Sequence, residues 1–91
     1  MTPNDPRAQN NLGTAYVALG RYPAGVKAFQ RATHQDATYA RAYRNLGDVL
    51  EKMGLNAEAV SAYRDFVKHW QGAHEHRIWA IKRIETLEAG P

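Results

Sequence analysis

The 91-residue sequence contains no cysteine, which excludes a disulfide framework and thiolate metal sites and leaves no demand for an oxidising compartment. Proline occurs only at positions 3, 6, 23 and 91, so the long segments rich in Ala, Leu, Arg, Lys, Gln and Glu run uninterrupted. No apolar run approaches the roughly 20 residues of a membrane span, and the opening MTPNDPRAQNN lacks the apolar centre of a signal peptide. The reading is a soluble, cytoplasmic chain without membrane insertion. Charge of one sign is also lacking. Twelve Lys/Arg face nine Asp/Glu for a net +3, and the signs are interspersed. That balance favours mildly acidic partners and does not make a nucleic-acid footprint; the basic residues also lack an aromatic stacking platform on a sheet.

Catalytic groups are equally scarce. Ser61 is the only serine, and no nucleophile–base or paired-carboxylate arrangement is suggested by spacing. Gly13, Gly20 and Gly25 are spread along helices and a turn, unlike a strand–loop–helix phosphate cradle. The expectation is a protein that is not an enzyme and uses no cofactor. Histidines make the one metal candidate: HWQGAHEH puts His69, His74 and His76 beside Glu75. The spacing matches no zinc signature, and residues 74 and 76 of one helix point about 200° apart. Exposed or capping histidines are the better reading.

What the sequence does contain is helix after helix, with no alternating run long enough for a sheet. Asp5-Pro6 caps and opens a helix over about 6–19, in which Leu12, Tyr16 and Leu19 lead to Gly20 as the stop. Pro23 opens a second, carrying Val26, Phe29 and Ala32 and ending near His34; the connector QDAT follows. A third spans about 39–53 and is closed by Gly54. Asn56 caps a fourth, with Val60, Tyr63, Phe66, Val67 and Trp70 on its apolar side and Gly72 as its end. A fifth covers about 73–89, with Ile78, Ile81, Ile84 and Leu87 at spacing three.

Two segments are near copies. NLGTAYVALG begins at Asn11 and NLGDVLEKMG at Asn45. Sliding residues 7–40 onto 41–74 makes Arg7/Arg41, Ala8/Ala42, Asn11/Asn45, Leu12/Leu46, Gly13/Gly47, Gly20/Gly54, Val26/Val60 and Ala28/Ala62 identical. Tyr16/Leu50, Leu19/Met53 and Phe29/Tyr63 keep bulk, and Gly25/Ala59 keeps a small residue. A helix pair recurring every 34 residues cannot bury its apolar face alone; the next pair supplies the missing wall. Gly13 and Gly47 allow close helix approach, despite costing roughly 1 kcal/mol each in helix propensity.

These residues resemble the tetratricopeptide repeat family. Leu-Gly, a bulky residue three further on, Gly at the hairpin turn, then a small residue and an aromatic in the second helix make the resemblance. The matches are Leu12, Gly13, Tyr16, Gly20, Tyr22, Gly25, Phe29 and Ala32 in a first repeat (6–39), and Tyr43, Leu46, Gly47, Leu50, Gly54, Ala59 and Tyr63 in a second (40–73). The resemblance implies an all-α fold, with antiparallel helix-turn-helix repeats stacked as a short right-handed α-solenoid of about five helices in a single domain over 1–91. Departures are Ala37 where the family often has Pro, Phe66 where it usually has Ala, and Ile81 where a third repeat would have Gly; both bulky residues are expected to hold the next helix further out. The fifth helix (73–89) then reads as a cap, its polar outer side carrying Arg77, Lys82, Arg83 and Glu88, with Trp70 and Trp79 packing at the junction.

The resemblance also implies a non-enzymatic scaffold that binds a protein or peptide in a concave groove lined by the first helix of each pair. Carried over, the groove residues are Arg7, Asn10, Asn11 and Thr14, then Arg41, Arg44, Asn45, Asp48 and Lys52, then Glu75, Ile78, Trp79 and Lys82. Asn can donate to and accept from a peptide backbone. Arg can hold a carboxylate with two parallel bonds, so Arg7, Arg41 and Arg44 point to an acidic or carboxylate-bearing ligand. The family's chaperone-tail clamp uses two cations and several Asn over three repeats; Asn45 fits one Asn place, whereas Asn10 and Thr14 replace other residues. The alternative is an assembly module. TPNDP resembles the connector after a preceding repeat, and without such a neighbour Ala8, Ala15 and Tyr16 are partly uncovered, inviting homo-oligomers through exposed repeat ends.

Overall fold

The computed structural model describes residues 5–90, and among these all regular structure is helical. Five helices follow in order: α1 (Pro6–Ala18), α2 (Tyr22–Gln35), α3 (Ala40–Lys52), α4 (Asn56–His69) and α5 (His74–Ala89). The chain is all-α, two antiparallel helix pairs followed by one further helix. The Thr2–Asn4 part of the expected upstream connector lies outside the described residues.

The two hairpins are closed by the same hydrogen bonds. Gly20 adopts φ 75° and Gly54 φ 79°, in the left-handed region that a residue without Cβ enters freely. Around Gly20, its own N–H donates to Val17 O (2.9 Å) and Arg21 N–H to Tyr16 O (2.9 Å); around Gly54, the same pair runs to Glu51 O (3.0 Å) and from Leu55 N–H to Leu50 O (2.9 Å). These are paired Schellman closures, 34 residues apart like the sequence copies. The closure also corrects one expected cap. Leu55 occupies the N-cap position of α4 and Asn56 is the first helical residue, with no side-chain capping bond. The α4 C-terminus is likewise His69 rather than the neighbourhood of Gly72. Asp5 does cap α1, its carboxylate accepting from Arg7 N–H at 2.9 Å.

The connectors between pairs are tied by equivalent side chains. After α2, Asp36 Oδ1 accepts from Thr38 N–H (2.9 Å) and Thr38 Oγ1 (2.7 Å), and the Tyr43 hydroxyl donates to Ala37 O (2.9 Å). Those Thr38 bonds hold the Asp36 carboxyl below its ordinary range. After α4, Arg77, 34 residues beyond Tyr43, reaches back to Val67 O (3.3 Å) and to Trp70 O.

Close helix approach at the glycines sets the spacing within each pair. A Cβ built on Gly13 would stand 2.5 Å from Phe29 Cε1, and one on Gly47 would stand 2.5 Å from Tyr63 Cε1. Phe29 and Tyr63 then join Leu46, Val49, Leu50, Val60 and Ile84 in one core that runs across the stack. A second cluster joins Ala40, Phe66 and Ala80, with Trp70 and Trp79 against it. Phe66 is therefore a wedge between α3, α4 and α5.

The outer side of α5 differs from the sequence expectation. Arg77 binds the α4 end, Arg83 pairs with Glu51 of α3, and Glu88 pairs with Arg64 of α4 at 2.5 Å. Three of the four residues assigned to a polar outer side therefore face back to the stack. Ile78 and Ile81 face solvent instead, 40% and 41% exposed. Ile81 thus holds no helix further out; it lies where the aromatic of a following helix would approach a glycine.

Candidate functional site

The first helices of the units, α1, α3 and α5, bring polar side chains to a shared side. Residues 41, 44, 45 and 48 of α3 follow spacings of three and four, which keeps them on one helical stripe. Arg41, Arg44, Asn45 and Asp48 line a cleft of about 400 Å³ together with Asn10 of α1, Phe66 of α4, Trp70 at its end and His76 in the first turn of α5. At the floor, Asn45 Nδ2 donates to Asn10 Oδ1 at 2.9 Å, tying α3 to α1. Asn10 is the one polar residue buried among the described residues, and the bond to Asn45 compensates for that burial.

A second, smaller cleft lies beside it, lined by Asp48, Glu51, Lys52, Trp79 and Arg83. Its acidic side is internally engaged. The buried Tyr63 hydroxyl donates to Asp48 Oδ1 (2.7 Å) and Glu51 Oε1 (3.1 Å), and Arg83 pairs with Glu51. Burial, then the hydrogen bond to Asp48 and the two carboxylate charges, push the Tyr63 phenol far above its ordinary range. Asp48 therefore braces α3 on α4 while bordering both clefts.

Arginine 44 connects the cleft to α5. Its guanidinium carbon lies 4.4 Å from the centroid of the Trp79 ring, a cation–π distance. Arg44 Nη1 is also 3.2 Å from His76 Nδ1, and the His76 ring meets Trp70 edge-on with centroids 5.2 Å apart. Arg41 is exposed.

The structure thus brings Asn10, Arg41, Arg44, Asn45 and Asp48 together, and sets Lys52 and Trp79 in the adjoining cleft. The other groove residues expected from the sequence line neither. Arg7 forks onto Asp5 through Nε (3.2 Å) and Nη2 (3.1 Å), a pairing that lowers the pKa of the Asp5 carboxyl. Thr14 Oγ1 donates to Asn10 O within α1 (3.1 Å). Asn11, Glu75, Ile78 and Lys82 are exposed outside both clefts. Phe66, Trp70 and His76 are cleft residues that the groove register alone does not name. As for the histidines, His69 stacks on Tyr43 with centroids 5.6 Å apart and His76 engages Arg44. Among the described residues, no three His, Asp or Glu side chains gather as metal ligands, and no helix is long and apolar enough to cross a membrane.

Paired helices closed by repeated glycine turns, with a polar cleft on their first helices, define a helical-repeat scaffold. The tetratricopeptide repeat model matches residues 3–77, and the chain belongs to that family. Hsp70-Hsp90 organizing protein 3 of Arabidopsis thaliana is 30% identical over 67 residues, which is 74% of this chain and 12% of the relative. The chain therefore spans about an eighth of the length of that curated relative. A tetratricopeptide repeat domain protein from Salinibacter ruber, solved in solution, superposes with a TM-score of 0.86 at 16% identity, over 100% of this chain and 94% of that one. The type III secretion translocator chaperone SycD of Yersinia enterocolitica gives 0.77 at 22% identity, over 94% and 59%. At such identities the two structures speak for the fold. The family is one of protein–protein interaction modules.

Proposed function

We propose that this chain is a non-enzymatic interaction module that takes an acidic, carboxylate-bearing peptide segment along its first helices. The observation that carries this reading is the pairing of Arg41 and Arg44 in one cleft with the Asn10–Asn45 carboxamides and the Phe66 and Trp70 rings. Guanidinium groups hold carboxylates through parallel N–H bonds, the carboxamides offer backbone-like donors and acceptors, and the rings exclude water from one wall. The cleft's own carboxylate, Asp48, is engaged by Tyr63 and leaves the arginines to a ligand. The organizing-protein relative is named for two chaperones; the proposal here requires only an acidic segment.

The test is fluorescence anisotropy with labelled hexa-aspartate, carrying either a free or an amidated C-terminus. Arg41→Glu combined with Arg44→Glu is expected to weaken binding at least about 30-fold, equivalent to about 2 kcal/mol, while the thermal midpoint shows that the helices remain. Equal affinity of a folded double variant would remove the cleft from the interaction. A preference for the free C-terminus would assign the arginines to a terminal carboxylate.

A second reading has its own observation. Leu12 of α1 is 41% exposed whereas its counterpart Leu46 is 9% exposed, because α2 covers α3 through Phe29. Ala15 is likewise exposed where Val49 is buried. This α1 face has the character of a stacking surface, and a second copy of the chain would cover it. Light scattering over a wide concentration range tests this reading: a rising mass supports assembly, and a constant mass of 10.2 kDa removes it.

A further inference from the structure

The contact between Arg44 and His76 joins two groups that only one protonation state of the imidazole allows. A guanidinium has donors and no acceptor, so at 3.2 Å from Arg44 Nη1 the His76 Nδ1 must offer its lone pair. The imidazole is then neutral, with its proton on Nε2. A proton on Nδ1 would set donor against donor and cation against cation at the same distance. A carboxylate seated between them reverses that conflict, accepting from Arg44 on one side and from a protonated Nδ1 on the other.

Around this pair the fixed charges are few. From α3, Arg41 and Arg44 are positive and Asp48 is negative, the last engaged by the Tyr63 hydroxyl at 2.7 Å. From α1 comes neutral Asn10, and from α4 and its end come Phe66 and Trp70, which carry no charge. On α5 itself, Glu75 is exposed and Arg77 is occupied with the carbonyls of Val67 and Trp70. The excess is positive, and nothing bordering the cleft other than Asp48 is an anion.

We infer that His76 is a third anion-binding group of the cleft, and that the cleft takes up a proton on His76 as it binds a carboxylate. This inference rests on the acidic-ligand reading above. Imidazole is the side chain that ordinarily changes charge between pH 5 and 8. The sign follows from linkage. A bound carboxylate favours the protonated form, so the bound state holds more protons than the free state and affinity rises as pH falls. The limiting dependence for one proton is about tenfold per pH unit. The bound anion would also part Arg44 from His76, leaving the guanidinium held by Trp79 and aimed into the cleft.

The experiment measures the Kd of labelled hexa-aspartate between pH 6 and 8 at constant ionic strength, since aspartate in the probe stays ionised across that range. The wild-type chain is expected to bind at least about fivefold more tightly at pH 6 than at pH 8, within the one-proton limit. In His76→Gln, which keeps a neutral polar side chain, the dependence is expected to vanish and Kd to stay near the wild-type value at pH 8. His69→Gln and His74→Gln are expected to retain the full dependence. Binding that ignores pH in the wild-type chain, or a dependence that survives His76→Gln, overturns the inference and leaves the cleft reading standing. Absence of binding at every pH overturns the cleft reading itself and the inference with it.

Discussion

Phe66→Ala is expected to destabilise the fold by about 3–5 kcal/mol, the range for removing a buried phenyl group from a core. Phe66 is 1% exposed and packs with Ala40 and Ala80; its ring stacks on Trp70 with centroids 5.2 Å apart and planes 28° from parallel. The small residues on both neighbours explain the size of the effect. With alanines on α3 and α5, the phenyl group is what fills the gap, and no larger side chain beside it can move in. The counterpart in the first pair is Ala32, also fully buried, so one register position holds a methyl group where α2 meets α3 and a phenyl group where α4 meets α5. A domain of this size has only about 5–15 kcal/mol in total. At roughly 4–8 °C per kcal/mol, the thermal midpoint should fall by at least about 12 °C. An unmoved midpoint would show that α5 is not wedged on Phe66. Because Phe66 also borders the cleft, a folded remnant should bind acidic peptide less tightly even though no charge has changed.

Much of this architecture is legible in the sequence because the 34-residue copies carry physical constraints. Each Gly–aromatic pair, Gly13 with Phe29 and Gly47 with Tyr63, is a contact between helices written sixteen residues apart. What is not legible follows from geometry that a linear pattern hides. In α5, Ile78, Ile81, Ile84 and Leu87 recur every three residues, but a helix turns about 100° per residue. Each step slips about 60° around the axis, so Ile78 and Ile81 point outward while Ile84 is buried and Leu87 half-buried. The charged residues taken for an outer face rotate inward with them, and Arg77, Arg83 and Glu88 find carbonyls or opposite charges on α3, α4 and the turn that follows α4. Asn56 fails as a cap for a similar reason: the Gly54 closure fixes Leu55 at the cap position before any side chain can compete. In the cleft, the α3 row is visible from its spacing alone. Arg7 is not, because an aspartate two residues earlier captures it. Phe66, Trp70 and His76 reach the cleft only through the α4–α5 corner, and HWQGAHEH carries no local sign of facing an arginine 32 residues upstream.

Gly13→Ala tests what fixes the spacing within a helix pair. On propensity alone the change should stabilise α1 by about 1 kcal/mol. The packing opposes it: the new methyl carbon would stand 2.5, 2.6 and 2.9 Å from Phe29 Cε1, Cδ1 and Cζ, well inside the roughly 3.5–4.0 Å of carbon–carbon contact. Phe29 is 2% exposed and enclosed by the core that includes Leu46 and Leu50, so the ring has no free space into which to swing. Overpacking of this kind costs about 1–3 kcal/mol or more, and the net expectation is a loss of about 1–3 kcal/mol read by urea denaturation. Phe29→Leu supplies the decisive comparison. It removes the ring atoms that meet the methyl group, so the double variant should be at least about 1 kcal/mol more stable than the two single losses added together, a coupling of the size found between touching residues. Strict additivity would mean that α1 and α2 relax apart independently of this contact, and that the glycine is tolerated there rather than required. The same logic predicts a larger loss for Gly47→Ala, because the Tyr63 ring is additionally pinned through its hydroxyl to Asp48 and Glu51 and moving it would uncouple the brace that holds α3 beneath the cleft.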